Sequence, residues 1–266
     1  MGRPVKFVRA LRAAGLALAS VACTQALAQA PAQPASTGGS GWTGTLGGGL
    51  VAFPKYTGGK SMQAVPLPIA YVEYDDWFYI NLFRAGAYFW SSADKKQGLS
   101  IATEPRIGFS SGEGPRLAGM ATRRSTMFGG LAYNAENDLG SMSLGYFSDL
   151  GNASRGGYFD LLFERPFVKT PQWELSGTLE FSRLDAKVAN YYFGVNPGEA
   201  TAVRPAYAPG ATLNTTLWLT GQYNLTKRHA LMFGASTTRL GSRAAASPIV
   251  ERRDVPFLYL GFGVNL

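Results

Sequence analysis

Apolar and polar side chains alternate with period two along most of the chain from Trp42 onward, in short segments separated by turn residues. The clearest segment, 173–183, has one apolar and one polar face. The apolar face comprises Leu175, Gly177, Leu179 and Phe181, and the polar face comprises Glu174, Ser176, Thr178, Glu180 and Ser182. Segments 211–224 and 255–266 repeat the pattern. Successive side chains of a strand point to opposite faces of a sheet, so the alternation predicts an all-β fold.

A soluble β-sandwich would also alternate, because it buries one face of each sheet. The segments here, however, match the roughly 9 to 11 residues with which a tilted strand crosses a bilayer. Aromatic residues also gather near segment ends, as interfacial girdles require. The girdle candidates are Tyr71, Tyr74, Trp77, Trp90, Tyr133, Tyr146, Tyr158, Trp173 and Tyr223. The last segment alternates up to Leu266, like an outer-membrane assembly signal without its usual terminal Phe.

In lipid every backbone polar group must be paired, so a membrane sheet has to close on itself. The sequence therefore predicts a closed antiparallel transmembrane β-barrel. The candidate strands are 42–53, 63–74, 77–90, 98–109, 127–134, 141–149, 156–168, 173–184, 211–224, 229–240 and 255–266. These are eleven segments, whereas single-chain bacterial barrels have an even number of strands. The range is 10–12 strands, and we favour twelve, with 77–90 holding two short strands.

The connections between the candidate strands differ in length. With a periplasmic C-terminus, 169–172 and 225–228 are short periplasmic turns. The long connections 110–126, 185–210 and 241–254 then face outward, as in other outer-membrane barrels.

The first 28 residues have the composition of an export signal. Four cations and no acid precede an apolar run over 13–22, and small residues at 26 and 28 form a cleavage site. A lipoprotein signal ending at Cys23 is the alternative, although the usual Leu three residues earlier is missing. The chain therefore divides into a cleaved signal peptide (1–28), a flexible segment (29–41) and an outer-membrane barrel (42–266).

Charge and composition exclude two other classes of protein. Four of the eight net positive charges lie in residues 1–28, and the remaining cations are scattered. A nucleic-acid-binding protein needs a basic stripe, so we expect no nucleic-acid partner. Past residue 29 no apolar run approaches the roughly 20 residues of a transmembrane helix. A helical membrane protein is therefore excluded.

The residues that could carry catalysis are few. His229 is the single histidine and lies in a predicted periplasmic turn, where a lipid hydrolase of the outer leaflet would not place its base. Cys23 leaves with the signal peptide, so the mature chain has no cysteine nucleophile or thiolate ligand. We therefore expect no enzyme, no catalytic residues, no metal site and no cofactor.

Charged residues on adjacent strands form a candidate lumenal polar network. Its members are Asp160, Glu164, Glu174, Glu180 and Arg183. Either they line an ion-selective lumen, or they plug a narrow barrel through salt bridges and hydrogen bonds, which we favour because unpaired buried charge is costly. Glu174 and Glu180 are about 20 Å apart along one strand, too far for a glycosidase pair.

The long connection 185–210 holds large side chains that a plain connection would not need. These are Tyr191, Tyr192, Phe193, Arg204 and Tyr207. Exposed aromatic residues and arginines dominate interface hot spots, so one interpretation is a surface for a partner or ligand. The other is a loop that folds inward and caps the barrel mouth.

Several short motifs resemble the MipA/OmpV family, the MltA-interacting outer-membrane proteins, over nearly the whole mature chain. Pro54–Gly58 is similar to the family's P-x-Y-x-G loop and Pro66–Pro68 to its P-L-P. Tyr192–Val195, Pro205–Tyr207 and Ser247–Glu251 follow in the family's order. Two features depart from the pattern: the G-L-G-D-like element within 110–126 is replaced, and the terminal aromatic is missing.

The resemblance implies an outer-membrane scaffold that joins a lytic transglycosylase to a penicillin-binding protein during murein growth. Other members of the family resemble adhesins or immunogenic surface proteins. The alternatives to a non-catalytic scaffold are therefore a small channel or a surface adhesin. In each case outer-membrane lipid surrounds the barrel.

Overall fold

The computed structural model describes residues 41–266. Twelve strands form one closed antiparallel barrel, in which each strand pairs with its sequence neighbours and the first pairs with the last. They are β1 (Trp42–Pro54), β2 (Met62–Tyr74), β3 (Phe78–Asn81), β4 (Arg84–Ser91), β5 (Gln97–Arg106), β6 (Thr126–Asn137), β7 (Gly140–Asp149), β8 (Gly157–Lys169), β9 (Trp173–Leu184), β10 (Thr212–Asn224), β11 (His229–Arg239) and β12 (Asp254–Asn265). The predicted barrel and the favoured count of twelve strands are confirmed. The predicted signal peptide and residues 29–40 lie outside the described residues.

Short helices occur only in connections within the described part of the chain. They are α1 (Ala186–Phe193), α2 (Ser242–Ala245), and the 3-10 turns η1 (Pro115–Leu117) and η2 (Pro197–Glu199). Among residues 41–266, no helix has the length and apolarity needed to cross a membrane.

The predicted segment 77–90 forms a small hairpin. Asn81 of β3 faces Arg84 of β4 across a two-residue turn, Leu82–Phe83. Leu82 adopts φ 51°, a left-handed conformation that costs an L-residue roughly 1–2 kcal/mol. The Leu82 N–H donates to the Ala70 C=O at 2.8 Å, and its side chain is buried. These contacts hold the strained turn in place.

The two ends of the barrel differ in the length of their connections. The chain enters β1 and leaves β12 at the end that carries the short turns 75–77, 92–96, 138–139, 170–172 and 225–228. The opposite end carries 55–61, 107–125, 150–156, 185–211 and 240–253. Because outer-membrane barrels have short periplasmic turns and long outer loops, the short-turn end is periplasmic.

Odd and even positions along a strand face opposite sides of the barrel wall. This strand parity separates the apolar outer wall from the interior. On β9, Leu179 and Phe181 are exposed, whereas Thr178 and Glu180 are buried, as the alternation predicts. Exposed tryptophans lie around the periplasmic rim, namely Trp42, Trp77, Trp90 and Trp173. Two predicted girdle residues, Tyr71 and Tyr158, are instead buried inside the barrel, because their parity on the strand points them inward.

The interior holds apolar clusters as well as polar groups. A first cluster below the outer mouth includes Phe128, Phe147, Tyr158, Tyr192 and Phe193. A second lies on one side of the lumen and includes Val51, Phe53, Ile69, Trp218 and Phe257. A third lies within the outer loops and includes Tyr56, Phe109, Leu117 and Ile249. The lumen is therefore largely filled with side chains.

Candidate functional site

The outer mouth is closed by connections 55–61, 107–125, 185–211 and 240–253, which together we call the outer cap. Its central element is α1. The Asp185 carboxylate accepts hydrogen bonds from the Val188 N–H and the Gly157 N–H, both at 2.8 Å, which caps the helix and ties it to β8. Val188, Ala189, Tyr192 and Phe193 are buried in the first apolar cluster. The apolar face of the helix therefore seals the lumen.

The interpretation of 185–210 as an exposed partner surface is wrong for three of its five residues. Tyr192 and Phe193 are each 2% exposed and Arg204 is 6% exposed. The Arg204 guanidinium donates to the C=O groups of Arg116, Ala118 and Glu199 at 2.7–2.9 Å. Burial of an amphipathic helix against the lumenal cluster removes more apolar surface from water than exposure would, so the loop folds inward.

The other two residues of that set are half-buried and also contact the cap. The Tyr191 hydroxyl accepts a hydrogen bond from the Arg124 N–H at 2.6 Å. The Tyr207 hydroxyl donates to the Arg243 C=O at 2.7 Å. Both side chains thereby connect different loops of the cap.

An ion pair connects 107–125 with 185–211. The Arg123 guanidinium donates to both carboxylate oxygens of Glu199, at 2.8 and 2.6 Å. Glu199 also accepts from the N–H groups of Asn196 and Ala121. The hydrogen bonds from Arg123 are the largest cause that lowers the pKa of Glu199, to about 2. Glu199 is therefore ionised at neutral pH, and the pair is a bidentate, charge-assisted contact.

The first motif of the family resemblance supplies a second connection across the cap. The Tyr56 hydroxyl donates to the Ile249 C=O at 3.0 Å and to the Glu251 carboxylate at 2.9 Å. Burial, followed by the contact with Glu251, raises the pKa of Tyr56, so the phenol keeps its proton. Gly58 adopts φ +88°, and its C=O accepts the N–H groups of Glu251 and Arg252. This left-handed position explains the glycine of the motif.

The other motifs converge on the same region. The Ser247 hydroxyl donates to the Phe193 C=O at 2.6 Å, and Val195 pairs with Tyr207 as an isolated bridge. Arg116 donates to the Pro248 C=O at 2.9 Å. Four of the five motif segments, from three different loops, are thus parts of one cap, and Pro66–Pro68 lies in β2. Sequence reasoning found the motifs but missed their contact, because no pattern along the chain reveals which loops meet.

A buried layer of charge crosses the lumen below the cap. The Arg84 guanidinium donates to Glu104 at 2.9 and 3.0 Å and to Asp160 at 2.5 Å. It also lies 4.4 Å from the ring centre of Phe147. Glu180 is buried among the lumenal residues. Sequence reasoning missed Arg84 and Glu104, although their inward positions on β4 and β5 were a signal that could have found them.

The predicted lumenal network does not form a single cluster. Asp160 belongs to the Arg84 layer, whereas Glu164 and Glu174 line a separate cavity nearer the periplasm. The placement of Arg183 is wrong, because it is exposed on the outer face near the outer end of β9. Arg183 shares its parity with Leu179 and Phe181, which explains its outward direction.

The periplasmic mouth is open. Two cavities of about 160 and 230 Å³ share Glu136 and Ser141 as lining residues. We call this space the periplasmic vestibule. Its acidic lining comprises Glu73, Asp75, Asp76, Glu136, Asp138, Glu164 and Glu174, and its basic lining comprises Lys95, Lys96 and Lys169.

Several carboxylates of the vestibule have no cationic partner within the described chain. No ion pair of residues 41–266 includes Glu136, Asp138, Glu164 or Glu174, whereas Asp76 pairs with Lys95. Glu164 is 7% exposed, and its Oε2 atom has no hydrogen-bond partner among these residues. A buried carboxylate oxygen without a partner costs free energy. The arrangement therefore favours an incoming cationic group.

Metal binding and catalysis by the single histidine are two further chemical possibilities. Over residues 41–266, no group of three or more histidine, cysteine or acidic side chains is arranged to hold a metal ion. His229 lies at the start of β11, where its ring stacks on Phe262 and its Nδ1 atom lies 3.2 Å from the Thr226 hydroxyl. These contacts are those of a turn histidine.

A family model described as "MltA-interacting protein MipA" matches residues 46–264. The chain is also 45% identical over 62 residues to the outer membrane protein Omp26La of Vibrio anguillarum. It is 44% identical over 62 residues to the outer membrane protein OmpV of Vibrio cholerae. Each match covers 23% of this chain and 24% of the relative, so the chain spans about a quarter of the length of these two relatives.

Proposed function

The chain belongs to the MipA family, and we propose that it is a non-catalytic outer-membrane scaffold that docks a murein-cleaving enzyme at its periplasmic mouth. It is an outer-membrane β-barrel, and its family takes its description from an interaction with MltA, a lytic transglycosylase. A penicillin-binding protein is the proposed second partner of the scaffold.

The proposal rests on one observation: charged groups are paired differently in the outer cap and in the periplasmic vestibule. The outer cap holds a buried ion pair between Arg123 and Glu199, and Arg204 donates to three backbone C=O groups, although Arg204 Nε and Glu113 Oε2 have no partner among the described residues. The periplasmic vestibule instead presents carboxylates without cationic partners on the side where murein lies. A partner that binds from the periplasm can neutralise these groups, whereas a partner at the outer surface meets a cap whose acidic Glu199 is already paired with Arg123.

The chemistry of the vestibule specifies the kind of segment that would dock there. Glu136, Glu164 and Glu174 surround a space that accommodates an alkyl stem with a cationic end, such as a lysine or arginine side chain. Charge complementarity of this kind steers association and defines the orientation of a complex more than it raises affinity. We therefore propose that the partner presents a basic segment, and that binding weakens as salt rises.

Affinity purification after cross-linking in intact cells tests this proposal. The triple variant Glu136→Gln, Asp138→Asn, Glu174→Gln removes charge from the vestibule without adding bulk. We expect it to lose the lytic transglycosylase that the tagged wild-type protein recovers. The matched control is Glu113→Gln in the outer cap, which should recover the enzyme normally. Equal recovery by both variants, or recovery of bulk porins alone from wild type, would overturn the proposal.

The lumenal contents argue against the channel alternative. The Arg84 layer, the aromatic side chains of the first cluster and α1 occupy successive levels between the vestibule and the outer surface. We expect planar-bilayer recordings of the purified protein to show no steady single-channel conductance. Stable ohmic conductance steps would favour the channel instead.

A further inference from the structure

The barrel wall is incomplete on one side of its outer half. β3 pairs with β2 only over Tyr71–Tyr74, and β4 pairs with β5 only as far as Thr103. Above the Leu82–Phe83 turn, Met62–Ile69 of β2 pair with β1 alone. On the other side, Glu104–Arg106 of β5 pair with β6 alone. No strand pairing within residues 41–266 joins β2 to β5. We call this opening the lateral notch.

Prolines line the β2 edge of the notch. The Ala70 C=O accepts the Leu82 N–H and therefore points away from β1. Alternate residues of a strand direct their backbone groups to the same neighbour, so Pro66 and Pro68 share this direction. Their N–H groups would have pointed into the notch, and proline has none. An unpaired N–H in lipid costs several kcal/mol, and these residues avoid that cost at two positions.

The β5 edge of the notch also carries a proline, Pro105. The Gln97 C=O accepts the Ser92 N–H, so odd-numbered residues of β5 direct their backbone groups toward β4. Pro105 belongs to this series and follows the last β4 pairing, at Thr103. Prolines in sheets are confined to edges for this reason. Both edges of the notch thus lack an N–H donor at these positions, which lowers the cost of leaving them unpaired.

The lumen behind the β2 edge of the notch is apolar. Val65 and Leu67 point inward from β2 and pack with Phe83 against the second apolar cluster. The Phe83 ring contacts Phe257 edge-on at 6.1 Å between centroids. Val65 and Leu67 are only half-buried, whereas inward residues of the complete wall, such as Leu162 and Ala132, are buried. The notch therefore leaves apolar surface accessible.

We propose that the lateral notch binds one acyl chain of a surrounding membrane lipid, with its methylene groups against Val65, Leu67 and Phe83. A slender hydrocarbon chain needs no hydrogen bonds and matches the apolar surface behind the notch. The bilayer already supplies such chains at the outer wall, where Met62 is exposed beside the opening. Arg84 and Glu104, which lie beside the opening, are already paired with each other. The site is separate from the periplasmic vestibule, so it can fail or hold without affecting the scaffold proposal.

Photolabelling of the full protein in lipid nanodiscs tests this site. The probe is a phosphatidylethanolamine with a diazirine in the middle of one acyl chain, and mass spectrometry locates the labelled residues. We expect label on Leu67 and Phe83, which face the lumen, as well as on outward residues such as Leu217. Label confined to outward residues would overturn the proposal.

A space-filling variant sharpens the test. Leu67→Trp should block the notch and abolish labelling of Phe83, while labelling of Leu217 stays unchanged. The matched control, Leu217→Trp on the distant strand β10, should leave the labelling of Phe83 as in wild type. Undiminished labelling of Phe83 in folded Leu67→Trp protein would contradict the site, and the wild-type pattern remains decisive if that variant does not fold.

Discussion

The outer cap and the periplasmic vestibule close the same twelve strands in opposite ways. At the outer end, long loops bury aromatic side chains and pair their charges with one another, as Arg123 does with Glu199. At the periplasmic end, turns of a few residues leave Glu136, Glu164 and Glu174 around an open cavity. Strand parity decides which side chains enter the lumen, whereas loop length decides whether their polar groups find partners within the chain.

The largest expected effect is at the cap. Tyr192→Ala empties a site that is 2% exposed, and such truncations of aromatic residues cost about 3–5 kcal/mol. We expect guanidinium unfolding of the protein in micelles, followed by tryptophan fluorescence, to show this loss. Tyr192→Phe is the matched control and should be nearly neutral, because the Tyr192 hydroxyl has no partner among the described residues. Wild-type stability in Tyr192→Ala would mean that the cap does not seal the lumen.

The next effect is on the ion pair of the cap. Arg123→Ala leaves Glu199 without its partner and should cost about 3 kcal/mol, as for other buried pairs that lose one member. Glu199 has a pKa near 2 in the folded protein against an ordinary value of 4.5. Its contribution to stability is therefore complete above pH 4.5 and is lost as the pH falls toward 2.

Hydrogen exchange of residues 107–125 and 185–211 across this pH range measures that loss. Exchange in wild type should accelerate as the pH falls from 4.5 toward 2, beyond the intrinsic change with pH. Glu199→Gln should exchange faster at neutral pH and show no such acceleration. Identical pH profiles for the two proteins would show that the Arg123–Glu199 pair does not stabilise the cap.

The vestibule should respond in the opposite direction. Glu164→Gln removes a carboxyl group whose burial without a cationic partner is costly, so we expect stability to rise by about 1 kcal/mol in the same unfolding assay. Asp160→Asn is the matched comparison, because Asp160 is bound to Arg84 at 2.5 Å and its loss should destabilise the protein. A large destabilisation by Glu164→Gln would show that the vestibule is a structural element rather than a binding space.

The smallest effect is expected at His229. Its ring contacts Thr226 and Phe262 in a periplasmic turn, so His229→Ala should change stability by less than about 0.5 kcal/mol. Partner recovery from cells should also stay at the wild-type level. Loss of a lipid-modifying activity in this variant would revive the enzyme interpretation.

The sequence predicts the barrel well because its main signal is local. Leu179 and Glu180 differ by one position and point to opposite faces, so parity alone assigns strands, wall and lumen. The same parity would have placed Arg183 outside. Contacts between distant segments are not encoded in this way, which is why the sequence shows that Arg84 and Glu104 point inward but not that they pair, and why it leaves both an exposed and an inward position open for Tyr192. The vestibule escaped prediction for the same reason, since it depends on which turns end beside one another.

Photo-crosslinking in intact cells from one residue at each mouth tests the central claim most directly. A photoreactive amino acid replaces Leu139, which is 61% exposed in a periplasmic turn, or Val203, which is 92% exposed in the outer cap. We predict an adduct with a lytic transglycosylase from position 139 and none from position 203. An adduct from position 203 alone, or from neither position while the tagged protein still recovers the enzyme, would contradict docking at the periplasmic mouth.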